Sequence, residues 1–300
     1  MGSNKTPYTL LKDINHVLTT GEGWTDEISR WVADDIAKSF GRQFSPRGER
    51  ARTLRASNLG TPCRRKLWYH INSDFKPQSL PASTLNKFIF GDITESYILG
   101  LCKAAGHDVT GLQDPVVVCG IRGSRDCVID GMLFDVKSAS SRSFDKFASG
   151  RLRDSDDFGY ISQLSTYLFG SLHDPLVTEK SKAGFLAFDK QHGHIAVDIH
   201  DLSEDLRTKE ADVEAIKKGV LEPDPPPRPY EPVPQGKRKN PETGKQEPDY
   251  TGNMKLAANC SYCDYKYTCW DKIRTFMYSS GPVFLTKVVR EPNVFEVDKA

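Results

Sequence analysis

The sequence predicts an α/β (α+β) protein in which helices pack on a mixed β-sheet. Apolar residues recur at helical spacing in some segments and form short β-like runs in others. The predicted order is helix, three strands, helix and two strands. The 300 residues are enough to bury a core. Of these residues, 38% are apolar and 27% are charged, as in ordinary globular proteins.

Two helices are expected before the strands. Between residues 24 and 40, apolar side chains recur at helical spacing, and Thr25 is a suitable N-cap. A second helix is expected over residues 83–105, with Ser83 as its cap and Gly106 as its stop. The first reads as an amphipathic packing element, and the second leads into the sheet.

Five short β-like runs follow, and the last two flank a turn that is typical of a hairpin. One further helix is expected between the third and fourth strands, and another after the fifth. The strands are Pro115–Cys119, Arg125–Ile129, Met132–Ser138, Ala183–Asp189 and His194–Ile199, and the helices are Tyr160–Phe169 and Ser203–Lys218.

Composition divides the chain into three parts. We expect a helical N-terminal extension over residues 1–50, a main domain over 51–278 with a helical cysteine-rich region, and a C-terminal tail over 279–300. Within the main domain, residues 222–249 are rich in proline and charge. This composition predicts a long loop or linker without regular structure.

Charge and hydropathy bear on whether the protein binds nucleic acid and whether it spans a membrane. Because 41 basic residues stand against 40 acidic ones, net charge does not indicate nucleic acid. Between Arg42 and Lys66, however, eight cations accompany one anion, Glu49. This stretch predicts a phosphate-contacting surface or, equally, a solvated helix or loop face. No apolar run reaches the ~18 residues of a membrane span, and the N-terminus lacks a signal-peptide pattern. A cytoplasmic protein without a membrane partner is expected.

The segment most informative about chemistry is Gly123–Lys137. Asp130-Gly131 is a strong signal for a two-residue hairpin turn, because both turn positions require a positive φ. Counting outward from the turn places Asp126 opposite Asp135, with Cβ atoms about 5 Å apart on one face. Lys137 follows two residues later and therefore points to the same face.

Two carboxylates at this separation repel each other unless a cation lies between them. Mg²⁺ and Mn²⁺ prefer carboxylate oxygens, and a neighbouring lysine could hold or help deprotonate an attacking water. The alternative is an exposed strand face on which Lys137 neutralises one aspartate. Asp130 shares the strand parity of Asp126 and is a rival ligand, but its place in the turn favours a structural role.

Asp126 followed by Asp135-Val136-Lys137 resembles the split Asp…(Asp/Glu)-x-Lys signature of PD-(D/E)XK nucleases. Two further segments are similar to the RecB-like branch of that superfamily. Glu95 stands where the branch has a glutamate or histidine that completes the metal site, although it could instead be a glutamate at the edge of the core. Gln163 and Tyr167 match a Gln-x-x-x-Tyr motif that helps to position substrate in that branch.

Cysteines form a second pattern. Cys260, Cys263 and Cys269 have the C-x₂-C-x₅-C spacing of a metal site, and Cys63 is a candidate fourth ligand. By spacing alone, Zn²⁺ is favoured, because it suits four thiolates. The arrangement is similar to that of iron–sulfur nucleases of the RecB-like branch, including the helicase–nuclease subunit AddB and CRISPR-associated exonucleases. That resemblance implies a 4Fe–4S cluster. The remaining cysteines, expected to be small core residues, are Cys102, Cys119 and Cys127.

The resemblance implies a restriction-endonuclease-like core and a Mg²⁺- or Mn²⁺-dependent DNA exonuclease. Such an enzyme would act on DNA ends or single strands in recombination, repair or degradation, in a bacterium or a phage-infected cell, with a helicase, recombination or single-strand-binding partner. The alternative is a non-catalytic nucleic-acid-binding scaffold with a structural metal cluster. The implied roles are metal binding by Glu95, Asp126, Asp135 and the Val136 carbonyl, water orientation by Lys137, substrate holding by Gln163 and Tyr167, and phosphate guidance by Arg64, Arg65 and Lys66.

Overall fold

A computed structural model describes residues 5–45, 52–72, 82–239, 241–248 and 252–297. The chain divides into two compact units. The first comprises Met1–Pro62 and Ser79–Gly219, and the second comprises Cys63–Gln78 and Val220–Ala300. The domain bounds expected from composition stay a prediction.

The helices and strands of both units are numbered together along the chain. The helices are α1 (Leu10–Thr20), α2 (Asp26–Phe44), α3 (Ala56–Leu59), α4 (Arg64–Asn72), α5 (Ala82–Ala104), α6 (Ser141–Ala148), α7 (Tyr160–Gly170), α8 (Ser203–Gly219), α9 (Ala258–Ser261) and α10 (Lys266–Cys269). The strands are β1 (Val109–Thr110), β2 (Pro115–Val118), β3 (Ile121–Ser124), β4 (Cys127–Ile129), β5 (Met132–Ala139), β6 (Lys182–Asp189), β7 (Ile195–Asp201), β8 (Val233–Pro234), β9 (Lys237–Lys239), β10 (Gln246–Pro248), β11 (Met254–Lys255), β12 (Arg274–Tyr278), β13 (Gly281–Lys287) and β14 (Glu296–Val297).

The first unit is built on a mixed five-stranded sheet with the order β1-β4-β5-β6-β7. β5 and β6 are parallel, and every other neighbouring pair is antiparallel. Parallel neighbours need a long crossover connection, which here contains α6 and α7. The predicted fold class, a mixed sheet flanked by helices, is confirmed, and it is consistent with a restriction-endonuclease-like core.

The β4–β5 hairpin has the predicted turn and register. Asp130 and Gly131 have φ values of 48° and 79°, and the register pairs Cys127 with Phe134 and Ile129 with Met132. The Asp130 carboxylate accepts the backbone N–H of Asp108 (3.0 Å) and lies 2.6 Å from Nδ1 of the buried His107. These contacts give Asp130 a structural role in the turn.

The two faces of β5 contact different layers of helices. Leu133 belongs to a buried cluster with residues of α6 and α7, whereas Phe134 belongs to a cluster with residues of α1 and α5. Because side chains alternate along a strand, Asp135 and Lys137 share the Leu133 face. The side chains of Asp135 and Lys137 therefore lie on the side covered by α6 and α7.

The predicted helices of the first unit agree closely with the structure. α2 begins after Thr25, whose Oγ1 accepts the Ile28 N–H (3.3 Å), and it continues past residue 40. α5 begins at Ala82, one residue before the predicted cap, and Gly106 follows its end with a φ of 80°. The side chain of Ser83, like Arg47 and Arg50 of the basic stretch, lies outside the described residues.

The strand predicted at Arg125–Ile129 is shorter than expected. β4 begins at Cys127, not at Arg125, because the Asp126 Oδ2 accepts the Val136 N–H (3.0 Å) that a longer ladder would use. The prediction also missed α1, α6 and β3. Cys119, expected in the core, is partly exposed in the turn between β2 and β3.

The second unit contains an antiparallel sheet with the order β14-β12-β13-β11-β8. Its small core includes Leu256, Ile273 and Phe284. Residues 222–249 were expected to lack regular structure, but they contain β8 and a ribbon of β9 and β10. Proline is tolerated in such short strands at sheet edges. Within the described part of the chain, no helix has the length and apolar content needed to cross a membrane.

Candidate active site

Three carboxylates come together from three elements of the first unit. Asp135 is buried on β5, Asp126 immediately precedes β4, and Glu95 lies on α5. The Asp126 Oδ2 accepts the Val136 N–H (3.0 Å), and the Glu95 Oε1 accepts a hydrogen bond from Gln113 Nε2 (2.7 Å). The Val136 amide thus helps to fix Asp126, while metal binding by its carbonyl stays a prediction.

The carboxylates influence one another's protonation. Burial raises the pKa of Asp126, and the charges of Asp135 and Glu95 raise it further. Burial also raises the pKa of Glu95 to about 7. The hydrogen bond from Gln113 acts to lower this pKa, and the negative charge of Asp135 acts to raise it. The site therefore concentrates more negative charge than its surroundings compensate.

Lys137 is the cation within this set. Its Nζ lies 2.5 Å from the Asp135 Oδ2, and its side chain is 20% exposed. Burial acts to lower the pKa of Lys137, but Asp135 and Asp126 outweigh it and raise that pKa. Lys137 therefore neutralises one aspartate, as the alternative interpretation held, although Asp135 is buried and not on an exposed strand face.

The donor chemistry of the site suits a hard divalent cation. Carboxylate oxygens are the ligands that Mg²⁺ and Mn²⁺ prefer, and the buried Asp135 Oδ2 has an ion-pair contact but no hydrogen bond. Within the described ranges, however, no three acidic, histidine or cysteine side chains are arranged to hold a metal ion. Val136, Gln113 and Lys137 each hold one carboxylate instead.

Gln163 and Tyr167 lie on one face of α7, as their spacing predicted. Gln163 Nε2 donates to the Tyr167 hydroxyl oxygen (3.1 Å). Burial raises the pKa of Tyr167 to about 12, and the charges of Asp135 and Asp126 add to the effect.

Arg125, next to Asp126, is a part of the site region that the sequence analysis missed. Its side chain is fully buried. Its Nη2 lies 3.0 Å from Asp114 Oδ2 and 2.7 Å from Asp174 Oδ2, and its Nη1 donates to Ser171 Oγ (3.2 Å). No spacing in the sequence relates these residues. Gln113, the partner of Glu95, was missed for the same reason.

The four predicted cysteines line one cavity of about 30 Å³ in the second unit. Burial raises the pKa of Cys260 to about 11, and the neighbouring thiols of Cys263, Cys63 and Cys269 add to this effect. Burial also raises the pKa of Cys263, so these two thiols resist ionisation. A bound cation would stabilise their thiolate forms.

Cationic and aromatic side chains surround this cavity. The Arg228 guanidinium lies 4.2 Å from the ring centroid of Trp270 and donates to the Cys269 carbonyl oxygen (3.1 Å from Nε). Arg65 donates to the Pro226 carbonyl (2.7 Å) and to the Tyr69 hydroxyl (3.0 Å).

The predicted phosphate-guiding residues differ in their surroundings. Arg65 packs within the second unit through these hydrogen bonds, Lys66 lines the cysteine cavity, and Arg64 is exposed. Their contact with DNA stays a prediction.

Cys102 and Cys127 are buried in the core of the first unit, as expected.

Comparisons with known proteins give structural similarities only. No protein-family model matches the chain, and no curated protein matches its sequence. Among solved structures, the protein SSO0001 is similar with a TM-score of 0.40 and 15% identity, over 81% of this chain and 96% of that one. An alkaline exonuclease (LHK-Exo) from Laribacter hongkongensis is similar with a TM-score of 0.34 and 14% identity, over 64% of this chain and 94% of that one. Neither similarity bears on activity.

Proposed function

We propose that the chain is a metal-dependent deoxyribonuclease that hydrolyses phosphodiester bonds, as an exonuclease on DNA ends or single strands. Recombination, repair or degradation of DNA would use this activity, together with a helicase, recombination or single-strand-binding partner. The observation that carries the proposal is the grouping of Glu95, Asp126 and Asp135 around one lysine, Lys137. Three carboxylates with a single cation leave excess negative charge, which a divalent metal would compensate.

Glu95, Asp126, Asp135 and the Val136 carbonyl would hold Mg²⁺ or Mn²⁺. Such an ion, when bound, polarises a phosphate and lowers the pKa of a coordinated water. For binding to occur, Lys137 must leave Asp135, and Gln113 must release Glu95. Both partners are side chains, so rotation about their own bonds is enough to expose the carboxylate oxygens.

Lys137 acts in this proposal as a protonated group. A lysine ammonium has three hydrogen-bond donors and no acceptor, so in this role it does not serve as the general base. It suits a different task, which is to orient the attacking water and to stabilise negative charge that develops on the phosphate. Tyr167 accepts its hydrogen bond from Gln163, which leaves the hydroxyl proton as a donor for a substrate oxygen.

The second part of the proposal assigns a 4Fe–4S cluster to Cys63, Cys260, Cys263 and Cys269. The four cysteines line one cavity, which supports a shared metal group with a structural role. The choice of a cluster over Zn²⁺ rests on the resemblance of the cysteine pattern to iron–sulfur nucleases, because four thiolates suit Zn²⁺ as well.

Metal analysis tests the cluster. Protein purified without oxygen should contain iron and acid-labile sulfide and be brown, and Cys63→Ala should lose both. Cys119→Ala, which removes a cysteine outside the cavity, is the matched control and should retain them. Stoichiometric zinc in place of iron would contradict the cluster and support the zinc alternative.

Cleavage assays test the nuclease. The protein is incubated with and without Mn²⁺ on end-labelled linear DNA and on closed circular DNA, beside Lys137→Ala and the exposed control Lys190→Ala. The expected result is Mn²⁺-dependent loss of linear DNA by the wild type and by Lys190→Ala. Lys137→Ala should bind DNA without cutting it, and full turnover by this variant would contradict the role given to Lys137.

The alternative function is a non-catalytic DNA-binding scaffold. The hydrogen bond from Gln113 to Glu95 and the ion pair of Lys137 with Asp135 favour it, because both occupy oxygens that a metal would need. Folded, brown protein that binds DNA but cleaves no substrate in Mn²⁺ would support the scaffold.

A further inference from the structure

A row of three aromatic rings leads from the buried core to solvent beside the candidate site. Phe147 is buried, its ring centroid lies 6.0 Å from that of Tyr160, and Tyr160 lies 5.6 Å from Phe158 with an interplanar angle of 33°. Phe158 is 52% exposed. The outermost ring is therefore supported from within and open to solvent.

The aromatic row passes directly beside Lys137. The Lys137 Nζ lies 5.0 Å from the ring centroid of Tyr160, in cation–π geometry. Phe158 is in ring contact with this same tyrosine. Single exposed apolar side chains are common on protein surfaces, but this one stands one ring beyond the lysine assigned to the cleavage site.

Hydrogen bonds fix the turn that carries Phe158. Both carboxylate oxygens of Asp156 accept backbone N–H groups of α7, from Tyr160 and Ile161 at 2.8 Å each. Lys146 Nζ donates to the Ser155 carbonyl (2.6 Å) and to Asp157 Oδ2 (3.1 Å). The ring is thus held in place before any ligand arrives, which reduces the entropy lost on binding.

The surroundings of the ring select the part of a DNA strand that can reach it. Asp156 and Asp157 immediately precede Phe158 in the chain. Lys146 pairs with Asp157, and the negative charge of Asp156 is unfavourable for a phosphate. A nucleobase carries no such charge, and it stacks on aromatic rings whatever its sequence. In a duplex the base faces are already stacked on one another, so only an unpaired base can offer its face to Phe158.

We infer that Phe158 stacks on the nucleobase next to the scissile phosphate, so that the preferred substrate is DNA with unpaired bases at the cleavage position. This inference rests on the proposed nuclease function. It specifies the substrate class as a single strand or a frayed or single-stranded end. It also makes Phe158 a specificity-determining residue.

Steady-state kinetics on a single-stranded oligonucleotide test the inference. Phe158→Ala should raise KM about tenfold, the scale of losing one base–aromatic stack, with a much smaller change in kcat. Phe158→Trp should restore KM because it restores a stacking face. Phe295→Ala removes a similarly exposed phenylalanine from the second unit and should behave as the wild type, and thermal unfolding checks that each variant is folded.

A binding measurement separates stacking from turnover. In the Lys137→Ala background, oligonucleotides with 2-aminopurine at successive positions should show quenching at one position, and Phe158→Ala should abolish it. The salt dependence of binding should not change, because no phosphate contact is lost.

The outcomes distinguish the two proposals. If the wild type cleaves DNA but Phe158→Ala leaves both KM and the quenching unchanged, the stacking inference is overturned and the nuclease stands. If the wild type cleaves nothing, the nuclease proposal fails, and the position-specific quenching still decides whether Phe158 stacks on a base.

Discussion

Arg125 offers a direct test of how the region around Asp126 is held in place. Its guanidinium is fully buried and pairs with Asp114 and Asp174. Arg125→Met keeps most of the apolar volume but removes the charge, leaving two carboxylates without their partner. Breaking a fully buried ion pair costs about 3–5 kcal/mol. Because the carboxylates are 42% and 30% exposed, we expect a loss near the lower end, about 3 kcal/mol.

Urea unfolding followed by circular dichroism measures this loss, with Arg122→Met as the matched control. Arg122 is exposed on β3, so its replacement should change the free energy of unfolding by less than about 0.5 kcal/mol. A double variant, Arg125→Met with Asp174→Asn, should recover part of the loss because one unpaired charge is removed. Equal stability of Arg125→Met and Arg122→Met would refute the anchoring role.

Two further predictions concern backbone conformation and acid stability. Gly131→Ala should destabilise the protein by about 2 kcal/mol more than Gly193→Ala in urea unfolding. Both glycines have a positive φ, but only at residue 131 would the new Cβ meet a side-chain oxygen, at 2.1 Å, and equal losses would rule out this clash. Although burial acts in the other direction, hydrogen bonds from the turn after β6 lower the pKa of Asp189 to about 2. Its charge therefore stabilises the fold above about pH 4, and this contribution is lost as the pH falls towards 2. In Asp189→Asn the free energy of unfolding should fall less steeply over that range, and a wild-type slope in the variant would contradict the assignment.

The hairpin shows what could be predicted from the sequence. Asp130-Gly131 fixes the turn type, and the turn fixes the register, so the pairing along β4 and β5 followed from one dipeptide. The expected pairing of Asp126 with Asp135 lies one residue beyond this ladder, which begins at Cys127, and it stays a prediction. These were local relations within about a dozen residues, for which strand geometry supplies the distances.

The features that could not be predicted from the sequence depend on contacts between segments that are distant in the chain. Arg125 is buried because Asp114 and Asp174 meet it, and no hydrophobic pattern identifies a buried charge of this kind. The position of Phe158 depends on its ring contact with Tyr160 and on the capped turn that carries it. In the sequence alone, Phe158 cannot be distinguished from an ordinary exposed phenylalanine. The sheet of the second unit was not predicted. Its strands β12 and β13 follow the cysteines, and that part of the sequence was interpreted only as a metal site.

The hydrogen bond from the Val136 amide to the Asp126 carboxylate makes strand length and side-chain orientation inseparable. Extending β4 by two residues, to Arg125 opposite Val136, would give that amide to a backbone carbonyl and release the carboxylate. Adding or removing a residue between Asp126 and the turn would also move this side chain to the other face of the sheet. During evolution the hairpin can therefore accept changes of residue type near its tip, whereas an insertion or deletion in its arms would remove Asp126 from the group in one step.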